Sequence, residues 1–319
     1  MKSMETIHLT HPLKIEREVP PVSLAIGYFD GVHLGHRSVI DQARQMAGEL
    51  GVSPAVMTFH PHPREVLGKA SVSRYLTPLP EKLLRFEELG VQRVYVMKFD
   101  RGLASRTREE FVEEVLIPLK VRGVSVGFNF TFGRGAAGKA EDLNHLSDGR
   151  FRVEIVHPIA SGGDFVSSTR LRQALAEGNV GEAAKILGRP YSLRGEVVRG
   201  DRRGRTIGFP TANIRLEDPF IIPATGVYVV RVRREEVSQE LFGMMNIGYR
   251  PTFRDPNPVK TLEVHLFDLD ENLYGDRLEV EFLHRLRGEQ PFESVSALTE
   301  QLKSDERNSR TWLNRQSLC

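Results

Sequence analysis

Between about residues 22 and 187 the chain alternates short apolar runs with amphipathic stretches. "VSLAIG" leads into "HRSVIDQARQMAGEL", and "AVMTF", "PEKLLRFEELG", "VQRVYVMKF", "TREEFVEEVLIPL", "GVSVGF", "FRVEIVHPI" and "STRLRQALAEG" follow in turn. Strand–helix alternation of this kind predicts a parallel sheet covered by helices on both faces, an α/β architecture. Ligands of such sheets bind beyond the carboxyl ends of the strands. After "AAKILGRPYSLRGEV" the helical period gives way to β-rich segments, "GVYVVRVRR", "LFGMMNIG", "KTLEVHLFDLD" and "RLEVEFLHRLR", separated by Pro, Gly, Asn and Asp. Those signals predict a second, mostly antiparallel domain, a small β-barrel, with a terminal helix near "SVSALTEQLKSDERNS". The expected domains are 1–187 and 188–319, joined through "GRPYSLRG". The chain contains no internal repeat and no low-complexity tract.

Composition narrows the picture. In 319 residues, 40% apolar and 27% charged side chains are ordinary for globular domains, and the length accommodates two cores. The net charge of +2, from 44 basic and 42 acidic residues, provides no global field for nucleic acid or an anionic membrane. The single cysteine is Cys319, so no intrachain disulfide and no cysteine zinc cluster is expected. The first residues lack the apolar core of a secretory signal, and no apolar run has membrane-spanning length. A cytoplasmic, soluble protein is expected, with no oligomeric state indicated.

The first chemical candidate is "GYFDGVHLGH", residues 27 to 36, at a strand-to-helix turn. With the helix beginning near His33, His33 and His36 fall on neighbouring positions, and Gly35 removes a side chain that would obstruct a ligand. Free N–H groups at a helix start and two imidazole donors form an anion pocket suited to phosphate chemistry. In "FVSSTRLRQAL", Ser167, Ser168 and Thr169 can cap a helix whose first turn carries Arg170 and Arg172, either an ordinary cap or a second phosphate contact. Two such turns in one domain favour a triphosphate between them. "GRGAAGKA", residues 133 to 140, matches a P-loop except that Ala140 replaces the hydroxyl that would hold magnesium. Its glycines are expected in a flexible loop near a ligand. "FHPHPREV" places His60 and His62 two apart among prolines, which predicts a rigid extended loop rather than a metal site.

In the second half, "VVRGDRRGRTIGFPTANI" reads either as a basic surface loop or as a nucleotide-binding turn. Thr211 and Asn213 there offer oxygen donors suited to magnesium shared with phosphates. In "TLEVHLFDLD" strict alternation puts Glu263 and His265 on the face opposite Leu262, Val264 and Leu266, a face that is either open to solvent or lines a site. A carboxylate lining a site could take the proton of an alcohol attacking a γ-phosphate.

These motifs resemble known families. "GYFDGVHLGH" with "SSTRLR" is similar to the HxGH and STxxR elements of nucleotidyltransferases. "TFHPHPREVL", "LTPLPEKL" and "VGFNFTFGRGAAG", in that order, resemble the adenylyltransferase module of prokaryotic bifunctional riboflavin kinase/FAD synthetases. "GRTIGFPTAN", "GVYVV", "MNIGYRPTF", "LEVHLFDLDENLYGDRLEVEFLHRLRGEQPF" and "ALTEQLKSD" resemble their riboflavin kinase domain. The two likenesses span roughly residues 10 to 306.

The resemblance implies phosphorylation of riboflavin by ATP to FMN in the barrel and adenylylation of FMN to FAD, with release of pyrophosphate, in the N-terminal domain. It implies that His33 and His36 hold the ATP phosphates, with Gly27, Phe29, Asp30, Gly31 and Gly35 in the same nucleotide-binding turn. Asn129, which stands where many relatives carry aspartate, lies beside nucleotide or flavin, and Ser168, Thr169 and Arg172 bind phosphate. Thr211 and Asn213 ligate Mg2+, Gly208 and Pro210 belong to the binding turn, Glu263 is the base and Arg277 contacts substrate. The implied ligands are ATP, riboflavin, FMN and FAD, with no nucleic-acid or membrane partner. Two rivals remain. A nucleic-acid module would use HxGH with Arg199, Arg202, Arg203 and Arg205, but the balanced charge, the absence of a KMSKS-like segment and the few interleaved aromatics oppose it. A flavin carrier without catalysis would have no need to retain His33, His36, Thr211 and Glu263 together.

Overall fold

The computed structural model describes residues 4–14, 19–68, 74–200, 204, 207–235, 237, 239–249 and 260–317. Arg202, Arg203, Arg205 and Cys319, named above, lie outside the described residues. The chain divides between Ser168 and Thr169 into two compact units.

The first unit holds β1 (Glu5–Leu9), β2 (Val22–Ile26), β3 (Ser53–His60), β4 (Arg93–Lys98), β5 (Val121–Gly127) and β8 (Arg152–Val156), which lie parallel in one sheet in the order β1-β4-β3-β2-β5-β8. β9 (Ala160–Ser161) and β10 (Asp164–Phe165) form a separate antiparallel pair. Central strands of such a sheet are covered on both faces, and every residue of β2 is buried. Alternation along the strands sorts them into two cores. Leu24, Ile26, Met57, Tyr95 and Met97 face one core, which also takes Phe111, Val115 and Leu116 from the helical stretch after β4. Ala25, Val56, Val94 and Val96 face the other, against Val39, Ile40 and Ala43 of helix α1 (Leu34–Leu50) and Phe86 of a later helix, Leu79–Glu88. α1 buries Val39, Ile40, Ala43, Met46 and Ala47 at helical spacing and ends at Gly51, which adopts the left-handed conformation with φ 66°.

Three sequence expectations are refined. The helix after the HxGH turn begins at Leu34, because His33 caps it from outside. The "FHPHPREV" stretch is not wholly extended: Pro63–Val66 form a helical turn, α2, with His62 as N-cap accepting from the Arg64 N–H at 3.0 Å. Proline at the first helical position lacks the N–H that would otherwise go unpaired, which is why prolines here start a turn. The glycine-rich 133–140 segment is structured, with a 3-10 turn over Arg134–Ala136 and a short hairpin of β6 (Thr131–Phe132) with β7 (Gly138–Lys139). A side chain at Gly133 would come within 2.8 Å of the Arg108 backbone, so this glycine serves packing, and Ala140 is fully buried.

The second unit is a closed antiparallel barrel in the order β11-β12-β15-β14-β13-β16. Its strands are β11 (Tyr191–Val198), β12 (Ala212–Leu216), β13 (Gly226–Arg234), β14 (Glu240–Tyr249), β15 (Lys260–Leu266) and β16 (Arg277–Arg287). It closes where β16 pairs with both β11 and β13, as in Tyr191↔Phe282 and Val230↔Phe282. The unit begins with two helices, one opened by Ser168 and running to Ala176, the next spanning Val180–Leu187.

The terminal helix, Val295–Ser317, lies on the outside of the barrel. Leu302 and Leu313 pack on a cluster of Phe209, Val227, Met244 and Phe267. An ion pair fixes its register: Asp305, 2% exposed, accepts from Arg287 at 2.8 to 3.1 Å and from Gln301 at 2.8 Å. Removing Asp305 leaves the half-buried Arg287 guanidinium without its carboxylate. Asp305→Ala is expected to destabilise the barrel by about 3 kcal/mol, read as a lower denaturation midpoint of the second unit in urea.

Candidate active sites

β2 ends at Ile26, and its neighbours are β3 on one side and β5 on the other. Successive connections leave in opposite directions here, so this is the switch point at which an open α/β sheet leaves a crevice. The turn occupying it, Gly27–His33, is tightly wound. Phe29 (φ 55°), Gly31 (φ 97°) and Val32 (φ 44°) all take positive φ, a conformation that glycine adopts freely and the other two only under strain. A β-carbon on Gly27 would lie 2.9 Å from the Phe29 ring, so only glycine fits there.

Hydrogen bonds from distant segments hold the turn in this shape. The Tyr28 carbonyl accepts from Thr58 Oγ1 at 3.0 Å and from Lys82 Nζ at 2.7 Å. The Gly31 N–H donates to Thr77 Oγ1 at 2.7 Å, and the Thr77 N–H donates to Asp30 Oδ1 at 3.0 Å. The Asp30 carbonyl accepts from the Ser168 hydroxyl at 2.8 Å. Asp30 is thus buried with its carboxylate toward Thr77, and Phe29 is buried with its ring against His36 and Phe86.

The two histidines stack, centroids 3.6 Å apart and rings 17° from parallel. His33 Nδ1 accepts the His36 N–H at 3.3 Å, which assigns the His33 proton to Nε2. Gly35 keeps the stack open: a β-carbon there would sit 3.2 Å from the His33 ring and 3.3 Å from Val166. Burial, then the His33 imidazole, then the Lys82 ammonium hold His36 well below the ordinary histidine pKa. Among the described residues its Nδ1 has no partner. At neutral pH His36 is uncharged, and the stacked pair stands beside a helix N-terminus, a place for anionic oxygens.

Asn129 stands exposed in the turn after β5, with Oδ1 leaning over Gly127, at the same end of the sheet. Thr169 is exposed and Arg172 half-buried near the start of the helix that Ser168 opens. Arg170 is paired with Glu182. Sequence reasoning missed Tyr28, Thr58, Thr77 and Lys82. A lysine inside "LTPLPEKL" has no local signature of burial.

In the second unit, β12 pairs with β15 through Ala212↔Val264 and Asn213↔Glu263. Asn213 and Glu263 are therefore direct cross-strand neighbours, and Asn246 on β14 flanks Glu263 from the other side. Leu262, Val264 and Leu266 are buried and Glu263 and His265 half-buried, the alternation read from the sequence. Thr211 lies two residues before Asn213, and a β-carbon on Gly204 would come 3.5 Å from Thr211 Oγ1. His265 Nδ1 lies 2.8 Å from the Pro210 carbonyl and its ring meets Phe209 edge-on at 5.2 Å, which ties the Gly208–Asn213 turn to β15. The Thr211 hydroxyl and the Asn213 carboxamide offer hard oxygen donors of the kind that fit a magnesium ion, with the Glu263 carboxylate beside Asn213. No cluster of three or more His, Cys, Asp or Glu suited to a metal occurs among the described residues. Arg277, at the start of β16 opposite Glu196 of β11, is exposed and paired with Glu217 at 2.8 Å, and β11 separates its strand from β12.

An HxGH turn at the switch point of a parallel sheet, joined in one chain to a small closed barrel with an oxygen-rich strand pair, defines a two-site phosphate-transfer class. Comparison with known proteins makes this specific. Residues 15–170 match the FAD synthetase family model and residues 187–313 the riboflavin kinase model. Proteins named bifunctional riboflavin kinase/FMN adenylyltransferase are 42% identical in Bacillus subtilis, over 96% of this chain and 97% of that protein, and 41% identical in Listeria monocytogenes, over 97% and 98%. The chain belongs to the family of bifunctional riboflavin kinase/FMN adenylyltransferases. A crystal structure described as a macrolide-efflux protein from Streptococcus pneumoniae superposes with a TM-score of 0.87 at 36% identity, covering 96% of this chain and 99% of that one. That name belongs to that protein, and the likeness is one of fold. Among the described residues no helix is long and apolar enough to cross a membrane.

The depressed His36 pKa has a direct readout. Below pH 6.5 an unfolded chain protonates this imidazole and the folded one does not, so its contribution to stability is complete above pH 6.5 and declines as the pH falls toward the folded value. NMR of ring-labelled histidine is expected to find His36 neutral at pH 6, where exposed histidines are largely charged. A midpoint near 6.5 would contradict the described environment.

Proposed function

We propose that the two sites act in series. The family's activities are those of this chain, riboflavin kinase in the C-terminal half and FMN adenylyltransferase in the N-terminal half. In the barrel the ribityl 5′-hydroxyl attacks the γ-phosphorus of ATP, forming the phosphate ester of FMN and releasing ADP, while Glu263 accepts the hydroxyl proton. Thr211 and Asn213 would hold Mg2+, which would supply charge neutralisation of the ATP phosphates. Gly208 and Pro210 shape the turn over the nucleotide, and Arg277 contacts substrate at the rim.

In the N-terminal half a phosphate oxygen of FMN attacks the α-phosphorus of a second ATP and pyrophosphate leaves. His33 and His36 donate hydrogen bonds to phosphate oxygens as charge accumulates on them. Gly27, Gly31 and Gly35 keep the backbone close to the nucleotide, Phe29 and Asp30 shape the turn, and Asn129 lies beside nucleotide or flavin. Ser168, Thr169 and Arg172 bind phosphate. We take the functional boundary as 187/188, at the start of the riboflavin kinase match. The protein works in the cytoplasm on small molecules, without nucleic-acid or membrane partners.

The observation that carries this reading is that each half holds its own chemical set, the stacked imidazoles in one and the Asn213–Glu263 pair in the other. His36→Ala is expected to lower FAD formation from supplied FMN about 10²–10⁴-fold and leave FMN formation intact. Glu263→Ala is expected to do the reverse. Flavin products separated by chromatography decide it, and loss of both half-reactions in either folded variant would end the two-site assignment.

A further inference from the structure

Lys82 is a buried cation that the reactions above leave without a task. It is 2% exposed on the helix Leu79–Glu88, in a position where an apolar residue would fill the same space. Its ammonium donates to the Tyr28 carbonyl at 2.7 Å, lies 3.4 Å from Thr58 Oγ1 and stands 4.0 Å from the centre of the Tyr28 ring. Thr58 donates to the same carbonyl, so its hydroxyl oxygen is left to accept from the lysine. Tyr28 is the residue at which the chain leaves β2 for the positive-φ stretch Phe29–Val32, immediately ahead of the histidines.

We propose that Lys82 is a positioning residue for adenylyl transfer: its ammonium clamps the Tyr28 carbonyl and sets the field in which the His33–His36 pair meets the ATP phosphates. This rests on the reading of His33 and His36 as phosphate-binding groups. The clamp fixes the peptide from which the strained turn departs, so the imidazoles and the α1 N-terminus hold one geometry. The charge is close enough to the pair to oppose protonation of His36, and it adds positive potential for a polyanion. The titratable groups that face Lys82 and Tyr28 are Asp30 on the turn, His36 of the pair, His60 at the end of β3 and His62, whose ring lies 4.1 Å from that of Tyr28; Tyr75 and Glu65 lie next to Asp30 and His60. Burial lowers the lysine from 10.5 to about 8, against the opposing pull of Asp30.

The test compares full-length Lys82→Met, which removes donor and charge, with Lys82→Gln, which keeps an N–H donor and loses the charge. FAD formation from FMN and ATP is measured across pH, with FMN formation from riboflavin in the same chains as control. Lys82→Met is expected to lower kcat for FAD formation about 10- to 100-fold with the kinase unchanged. Both variants should move the acid limb of kcat/KM to higher pH, because the charge that opposes His36 protonation is gone, and Lys82→Gln should retain more kcat than Lys82→Met. Wild-type kcat and an unmoved acid limb in both variants would overturn the proposal. If neither variant folds, the wild-type profile decides: FAD formation should fall as the pH rises through about 8 while FMN formation does not, and a flat profile overturns the clamp. A Lys82 effect with no His36→Ala effect would support the clamp and overturn the reading of His36. A His36→Ala effect with unaffected Lys82 variants would overturn the clamp alone.

Discussion

The backbone turn after β2 is the constraint on which the N-terminal half depends. A strand must end, the chain must reverse onto a helix whose free N–H groups face outward, and the intervening peptides must leave room for a phosphate. Phe29 and Val32 take left-handed conformations to achieve this, at about 1–3 kcal/mol each. Such strain persists only where surrounding structure over-determines it, and here four side chains do so: Thr58 from β3, Thr77 and Lys82 from the 74–88 segment, and Ser168. The histidines inherit their placement from these contacts, because His33 caps α1 from the last position of the turn.

The barrel solves its placement differently. No strained peptide is needed, because cross-strand register alone brings Asn213 beside Glu263 and Asn246 beside Glu263 from the other side. Only two residue pairs join β12 to β15, so the oxygen donors cluster where the pairing begins and the preceding turn can fold over them. His265 anchors that turn through Pro210. A one-residue slip would exchange Glu263 for a buried aliphatic neighbour, and the burial of Leu262 and Val264 opposes it.

Much of this was legible in the chain. Apolar runs alternating with amphipathic stretches foretold the parallel sheet, and period-two alternation in "TLEVHLFDLD" foretold the face on which Glu263 stands. β1 was not foretold: "ETIHL" alternates weakly at the sheet edge, and its residues are buried only in part. The candidate-site geometry was legible where spacing sets it, as with the neighbouring placement of His33 and His36. It was illegible where tertiary pairing carries it. Thr77 reaches Gly31 across 46 residues and Lys82 reaches Tyr28 across 54, and no local pattern marks either. The glycines of 133–140 misled for the same reason, since Gly133 is required by the backbone of a distant helix.

The two sites differ in the one group a reaction must have, and the nucleophiles explain it. The second ionisation of a phosphate ester has a pKa near ~6, so FMN arrives at the N-terminal site already charged and needs no proton acceptor. On the proposed reading that site needs a donor that stays uncharged and fixed, and burial beside His33 and Lys82 keeps His36 so. An alcohol arrives in the barrel with its proton still attached, so a base must stand within reach, and on the proposed reading a half-buried carboxylate between two carboxamides is that base. Exchanging the two sets would fail in both directions: a carboxylate at the HxGH turn would repel the ATP phosphates, and a neutral imidazole of strongly depressed pKa in the barrel would be too weak a base for the hydroxyl.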